Sequence, residues 1–405
     1  DPGGRSIPCR AEACRGRLSA LWWRGREPRI VFQRREGWNN ERTGFYAWQP
    51  GKVAPRRILT TDAIIQGCVP AEDALVCLRE TATTPRQIVR LDPATGRITL
   101  VFDANPEIRG LALGEVTRLK WRNDRGFEAW GDLVLPPGRQ PGAKLPLIVV
   151  QYHSRGFLRG GTNDDYPIYL FAAHGFAVLS LERPTAVASL YPELRTNDDM
   201  IAANQKGWAE HRSLLSSLLA GVDAAIATGA IDPAKIGLTG LSDGATLTRF
   251  ALINAPRFAA AAISTCCVEN RTAMTYGGIA LAEANARMGY PLTIDDAPGF
   301  WAAMSLTRNA TRIDTPLLMQ LADSEYLLAL EPFQALREAG KPVEMIVFPD
   351  EYHGKWQPEH RLAVYGRDLD WFAFWLQGKI DPDPAKRAQY ARWTTMRAAV
   401  PGPRR

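Results

Sequence analysis

The chain has no apolar run of the roughly 18–20 residues that a membrane-crossing helix needs. Its longest candidate, Tyr169 to Leu181, is broken by His174 and Gly175. Histidine is scarce: five residues, scattered along the chain. None of the six cysteines has C-x-x-C spacing, so the sequence offers no zinc-site pattern. Long blocks of one charge sign are missing too. The 49 basic and 43 acidic residues are intermixed, leaving a net charge of +6. That balance reads as solvated surface and argues against a nucleic-acid or membrane footprint. No signal peptide opens the chain, and Asp1 to Ser6 read as the start of a processed or truncated product.

What is present is globular. Hydrophobic residues make up 46% of the chain and charged residues 23%, which excludes a disordered or fibrous protein. At 405 residues it exceeds the roughly 250–300 that one core holds, so two domains or more are expected. Cys9 and Cys14 are close in sequence, and Cys68 and Cys77 flank a short turn as two arms of a hairpin could. These four either form two disulfides or remain thiols. Pairing would favour an oxidising compartment, and on that ground the bacterial periplasm is preferred over the cytoplasm. Cys266 and Cys267 are adjacent in an apolar run.

The pattern changes near residue 115. Before it, short β-rich runs alternate with turns: Arg29 to Gln33, Thr43 to Trp48, Ala74 to Leu78, Gln87 to Leu91 and Ile98 to Phe102. Asp92-Pro93-Ala94-Thr95-Gly96 is a hairpin signal. Phe45 to Leu59 and Ile88 to Phe102 repeat one pattern about 45 residues apart, a period that suits four-stranded propeller blades. Residues 1–115 are therefore expected to be a partial β-propeller segment, 116–385 a catalytic α/β domain, and 386–405 a tail. After Trp121, strand-like runs at Leu145 to Tyr152, Ala177 to Leu181, Lys235 to Thr239, Leu317 to Leu321 and Val343 to Phe348 alternate with helical patterns. One helical pattern, Leu214 to Ile226, stops at Gly229, and the final one carries Leu369, Phe372, Ala373 and Leu376. Alternating β and α elements imply a mostly parallel sheet wrapped by helices, with function collected beyond the carboxyl ends of its strands.

The most informative stretch is Ile236-Gly237-Leu238-Thr239-Gly240-Leu241-Ser242-Asp243-Gly244. Its G-x-S-x-G lies between an expected strand and an expected helix, which is the context of a nucleophile elbow of the α/β-hydrolase class. A serine hydroxyl needs a base at neutral pH. Serine, acid and histidine follow one another along the chain in this fold. His353 and His360 lie downstream of Ser242. His353, in the loop after Val343 to Phe348, stands where the order puts the base; His360 reads as a surface or capping residue. His153, His174 and His211 read as structural, with His153 able to line the site. Asp323 and Glu325, after Leu317 to Leu321, both qualify as the carboxylate. One oxyanion donor is expected from the backbone N–H of Asp243. The other lies after the strand ending near Val150, as the Tyr152 hydroxyl or a backbone N–H. The Asp243 side chain could meet a basic substrate group or favour the helix start.

Together these residues resemble the prolyl oligopeptidase family of serine peptidases, over residues 115–380 and more weakly over 15–110. The stretch Gly221 to Gly244, with Asp232-Pro233 before Lys235-Ile236-Gly237, is similar to that family's helix, strand and elbow. The resemblance implies a β-propeller joined to an α/β-hydrolase domain, and a tyrosine donor to the oxyanion at Tyr152. The family's acid stands three residues after a glycine in a pattern like L-L-x-x-G-x-x-D. Here that alignment puts Ala322 at the glycine and Glu325 at the acid, a departure from aspartate. A Ser/Glu/His triad, the Leu-Ser-Asp-Gly-Ala elbow and the Cys266-Cys267 pair look like the lasso-peptide isopeptidases, a branch of the family. That branch hydrolyses the bond between a peptide's N-terminal amine and an Asp or Glu side chain.

The resemblance then implies Ser242 as nucleophile, His353 as base, Glu325 as its orienting acid, Tyr152 and the Asp243 amide as oxyanion donors, and no metal or organic cofactor. The implied partner is a threaded lasso peptide, with no nucleic acid and no membrane. The missing propeller blades are expected on another segment or chain. The alternative is an exo- or oligopeptidase acting on ordinary peptide bonds; an esterase or a non-catalytic peptide-binding protein ranks below it.

Overall fold

A computed structural model describes residues 7–24, 29–265 and 268–399. It separates into two compact units. One runs to Ala112 and includes Arg155–Leu158; the other takes Leu113–Ser154 and the chain from Arg159 onward.

The first unit holds two antiparallel four-stranded sheets, each in sequence order. One consists of β1 (Leu18–Arg24), β2 (Arg29–Glu36), β3 (Arg42–Trp48) and β4 (Arg56–Thr61). The other consists of β5 (Ile64–Ala71), β6 (Ala74–Thr81), β7 (Thr84–Leu91) and β8 (Ile98–Asp103). Two successive four-stranded meanders are the architecture of propeller blades. Their shared core follows the period of two: Val31, Phe45 and Ala47 from the first sheet meet Ile65, Leu75, Cys77, Val89 and Leu91 from the second. The repeat seen in the sequence is the third hairpin of each sheet, β3–β4 and β7–β8. In the latter, Gly96 adopts φ +78° and its N–H donates to the Asp92 carbonyl at 2.7 Å, closing the turn. Both cysteine pairs are disulfides: Cys9 with Cys14, and Cys68 with Cys77 across the β5–β6 hairpin. Cys266 and Cys267 lie outside the described residues.

The second unit is an α/β-hydrolase-like domain. Its strands are β9 (Glu115–Arg122), β10 (Glu128–Leu135), β11 (Leu145–Tyr152), β12 (Ala177–Glu182), β13 (Ile231–Gly240), β14 (Ala260–Ile263), β15 (Leu317–Ala322) and β16 (Val343–Phe348). They form one sheet in the order β16-β15-β14-β13-β11-β12-β10-β9. From β12 through β16 every neighbouring pair is parallel; β9 and β10 add an antiparallel edge. A parallel sheet is covered on both faces, and β12, β14 and β15 are buried along their whole length. The helix Ala209–Ala227 covers one face with Leu214, Leu218, Val222 and Ala225. The helix Pro358–Phe372 places Trp371 and Phe372 in the core, where the Trp371 indole donates to the Ala261 carbonyl at 3.0 Å.

Residues 386–405, set apart as a tail in the sequence, contain a helix, Arg387–Ala399. Its Trp393 is fully buried against Trp371, Phe374 and Tyr390, and the Trp393 indole donates to Glu344 of β16.

Candidate active site

β11, β13, β15 and β16 run parallel, so their carboxyl ends open on the same edge of the sheet. Tyr152 ends β11, Ser242 lies two residues past β13, Glu325 three past β15, and His353 five past β16.

Ser242 sits between β13 and the helix Asp243–Asn254 with φ 59° and ψ −122°. A non-glycine residue with positive φ is strained and persists only where its surroundings enforce it. The enforcement is visible. A Cβ on Gly240 would lie 2.1 Å from the Gly244 carbonyl oxygen, so strand and helix touch backbone to backbone there. The buried Gln151 side chain donates to the carbonyls of Thr239 at 2.8 Å and Gly244 at 3.2 Å, bracing both arms of the turn. The Tyr166 hydroxyl donates to the Gly240 carbonyl at 2.7 Å.

His353 Nδ1 lies 2.6 Å from Glu325 Oε1. The other carboxylate oxygen accepts from the Thr265 hydroxyl at 2.8 Å. The hydrogen bond with Glu325 raises the His353 pKa above the ordinary imidazole value, against the opposing effect of its partial burial. Burial pushes the Glu325 carboxyl up, but the hydrogen bonds from His353 and Thr265 outweigh it and hold it below the usual carboxylate value. Asp323, the other candidate, turns to the backbone: it accepts from the N–H groups of Asp350 at 2.8 Å and Glu351 at 3.3 Å. It thereby shapes the loop that carries His353. His360 bonds Glu351 at 2.8 Å instead of reaching this pair.

Around Tyr152 the chain adds charge. The Tyr152 ring meets His153 at 4.7 Å and lies 5.6 Å from the Arg183 guanidinium. Arg183 donates to Asp243 Oδ2 and to Glu210 Oε1, each at 2.8 Å. The Asp243 carboxylate is thus occupied by an arginine, a partner that neither sequence reading of this residue supplied. Burial pushes the Asp243 carboxyl up, yet His211 and Arg183 hold it below the usual value. Gln151, Tyr166, Arg183, Thr265 and Lys355 were not singled out in the sequence. Tyr166 and Thr265 act on groups 60 to 74 residues away, and no local pattern announces that.

The arrangement can support acyl transfer: a strained serine at a strand-to-helix turn and an imidazole oriented by a carboxylate beyond neighbouring strands. Residues 210–379 match the model of the prolyl oligopeptidase family. The chain is 44% identical over 395 residues to the lasso peptide isopeptidase AtxE2 of Asticcacaulis excentricus, covering 98% of this chain and 56% of that protein. The chain thus spans just over half the length of that relative. It is 25% identical over 286 residues to a probable chloroplastic glutamyl endopeptidase of rice, Oryza sativa subsp. japonica, covering 65% of this chain and 28% of that protein. Among solved structures, a variant of the AtxE2 isopeptidase with Astexin3-dC4 bound superposes with a TM-score of 0.93 at 44% identity, over 96% of this chain and 60% of that one. The Pyrococcus horikoshii acylaminoacyl peptidase shares the fold, with a TM-score of 0.66 at 19% identity over 91% of this chain and 57% of that one.

Proposed function

Because residues 210–379 form a prolyl oligopeptidase family domain, we propose that this protein is a serine hydrolase that opens the isopeptide bond of a threaded lasso peptide. The likeness to a lasso peptide isopeptidase across 98% of the chain carries the substrate class. Ser242 attacks the side-chain amide carbonyl while His353 takes the hydroxyl proton. Glu325 holds the imidazole in the reactive tautomer and stabilises its cation. Tyr152 and the Asp243 N–H receive the oxyanion. His353 then protonates the leaving N-terminal amine, the C–N bond breaks, and an acyl-enzyme remains. Water, deprotonated by His353, adds to the ester and restores Ser242. The two four-stranded sheets are the propeller blades of this reading.

The test is mass spectrometry of a threaded lasso peptide incubated with the protein. The expected result is a gain of one water with linearisation at the ring bond. An unchanged peptide, in a preparation whose Ser242 still takes a fluorophosphonate, would turn the reading to a peptidase of ordinary peptide bonds.

The choice of acid is separately testable. Glu325→Gln is expected to lower kcat/KM by about 10²–10⁴-fold, while Asp323→Asn leaves it within a few-fold. The base must be neutral, and Glu325 raises its pKa. The acidic limb of the pH–rate profile should therefore move to lower pH in Glu325→Gln. A larger loss in Asp323→Asn would reverse the assignment.

A further inference from the structure

Behind the Glu325–His353 pair lies a buried polar cluster that the steps above leave unused. Lys355 stands two residues after His353 and is 1% exposed. An ammonium has three donors and no acceptor. All three find partners: the carbonyl of Ser264 at 2.9 Å, the carbonyl of Gln320 at 2.7 Å, and the Ser264 hydroxyl. Ser264 follows the end of β14 and Gln320 lies in β15. One side chain from the His353 loop thus fastens the ends of two neighbouring strands. The Ser264 hydroxyl donates in turn to Asp165, whose carboxylate is 3.7 Å from the ammonium.

The next residue in the chain, Thr265, is the one that bonds Glu325. A glutamate carries one more rotatable bond than an aspartate, so a strand end alone does not fix where its carboxylate faces. Here the carboxylate is held at both oxygens: Oε1 on His353 and Oε2 on Thr265. The Ser264–Thr265 segment that supplies the second hold is itself pinned by Lys355 through the Ser264 carbonyl.

We propose that Thr265 and Lys355 are positioning residues for catalysis, a clamp that lets glutamate serve as the acid of the triad. Thr265 sets the rotation of the carboxylate. Lys355 keeps the strand end bearing Thr265 and the loop bearing His353 at a fixed separation, and supplies a positive charge beneath both. The charged groups acting on His353 are Glu325, Lys355 and Asp165. Burial lowers the Lys355 pKa and raises that of Asp165, each opposed by the other's charge.

This rests on the proposed triad, and the experiment separates the two. Thr265→Val keeps the shape of the side chain and removes its hydroxyl. In the full chain it is expected to lower kcat about tenfold with KM unchanged, and Thr265→Ser should recover most of the loss. The lost donor leaves the Glu325 carboxylate more basic, so the acidic limb of the kcat/KM profile should move to higher pH. A Thr265→Val enzyme with wild-type kcat and pH profile, while wild-type Ser242 takes the fluorophosphonate, overturns the clamp and leaves the triad standing. Failure of Ser242 to label removes the triad first. Lys355→Met, which nearly keeps the length of the side chain, is the companion variant. Loss of its charge should move the same limb to higher pH, and an unmoved limb in a folded variant removes Lys355 from the clamp.

Discussion

Ser242→Ala is expected to lower turnover by about 10⁴-fold or more, with little change in the circular dichroism spectrum or the melting temperature. The hydroxyl is the only group lost. Ser242 contributes no side-chain cap to the helix that follows it, so removing the oxygen takes no support from the fold. The positive φ of 59° remains as costly for alanine as for serine. Residues that act as a unit are not additive. His353→Ala alone should cost nearly as much, and the double variant should be hardly worse than either. Hydrolysis persisting in Ser242→Ala at more than a few per cent of the wild-type rate would place the nucleophile elsewhere.

Gly240→Ala is expected to abolish labelling of Ser242 and to destabilise the protein by about 3 kcal/mol or more, read by chemical denaturation. The added methyl would meet the Gly244 carbonyl oxygen at 2.1 Å, the Gly244 carbonyl carbon at 2.2 Å and the Ala245 nitrogen at 2.6 Å. These are backbone atoms at the start of a buried helix, and none can swing aside. The turn has to open, and the serine then leaves the strained conformation that aims it. Gly244→Ala makes the contrast. Its methyl would meet the Tyr152 ring at 3.2 Å, a side chain that can yield. There the expected loss is mainly of kcat, with stability nearly kept. A Gly240→Ala protein that labels like the wild type would refute the elbow as the source of the serine's geometry.

Much of this was legible in the residues themselves. Strands buried on both faces write near-continuous apolar runs, so β11, β12 and β15 were recognisable from Leu145, Ala177 and Leu317 onward, while β16, a partly exposed edge strand, was read from the mostly apolar Val343–Phe348. β14 was not, because Ala260-Ala261-Ala262-Ile263 spells a helix former in a strand position; burial overrides propensity there. β9, at the sheet edge, mixes charged and apolar residues, and β10 beside it is buried over Ala129–Val134 yet carries Asp132, which accepts from Arg118 at 2.9 Å. Within the proposed site, chain order picks out Ser242 and His353 as nucleophile and base. Spacing left Asp323 and Glu325 level, since both follow β15 closely. What separates them is where each carboxylate turns, to the backbone or to the imidazole, and in the proposed clamp that depends on Thr265, just past β14, and Lys355, in the loop after β16.

The helix Arg387–Ala399 has a consequence for the order in which the protein becomes competent. Chains fold as they are synthesised, from the N-terminus onward. Ser242 and its elbow emerge well before β16, and β16 is an edge strand of the sheet, paired on one side to β15. The helix that fastens it, through Arg392 and Trp393 on Glu344, comes later still. A chain in which that helix has not yet formed therefore carries its nucleophile without a firmly seated base. With the proposed triad, full hydrolytic power is expected only once the helix Arg387–Ala399 has docked on β16.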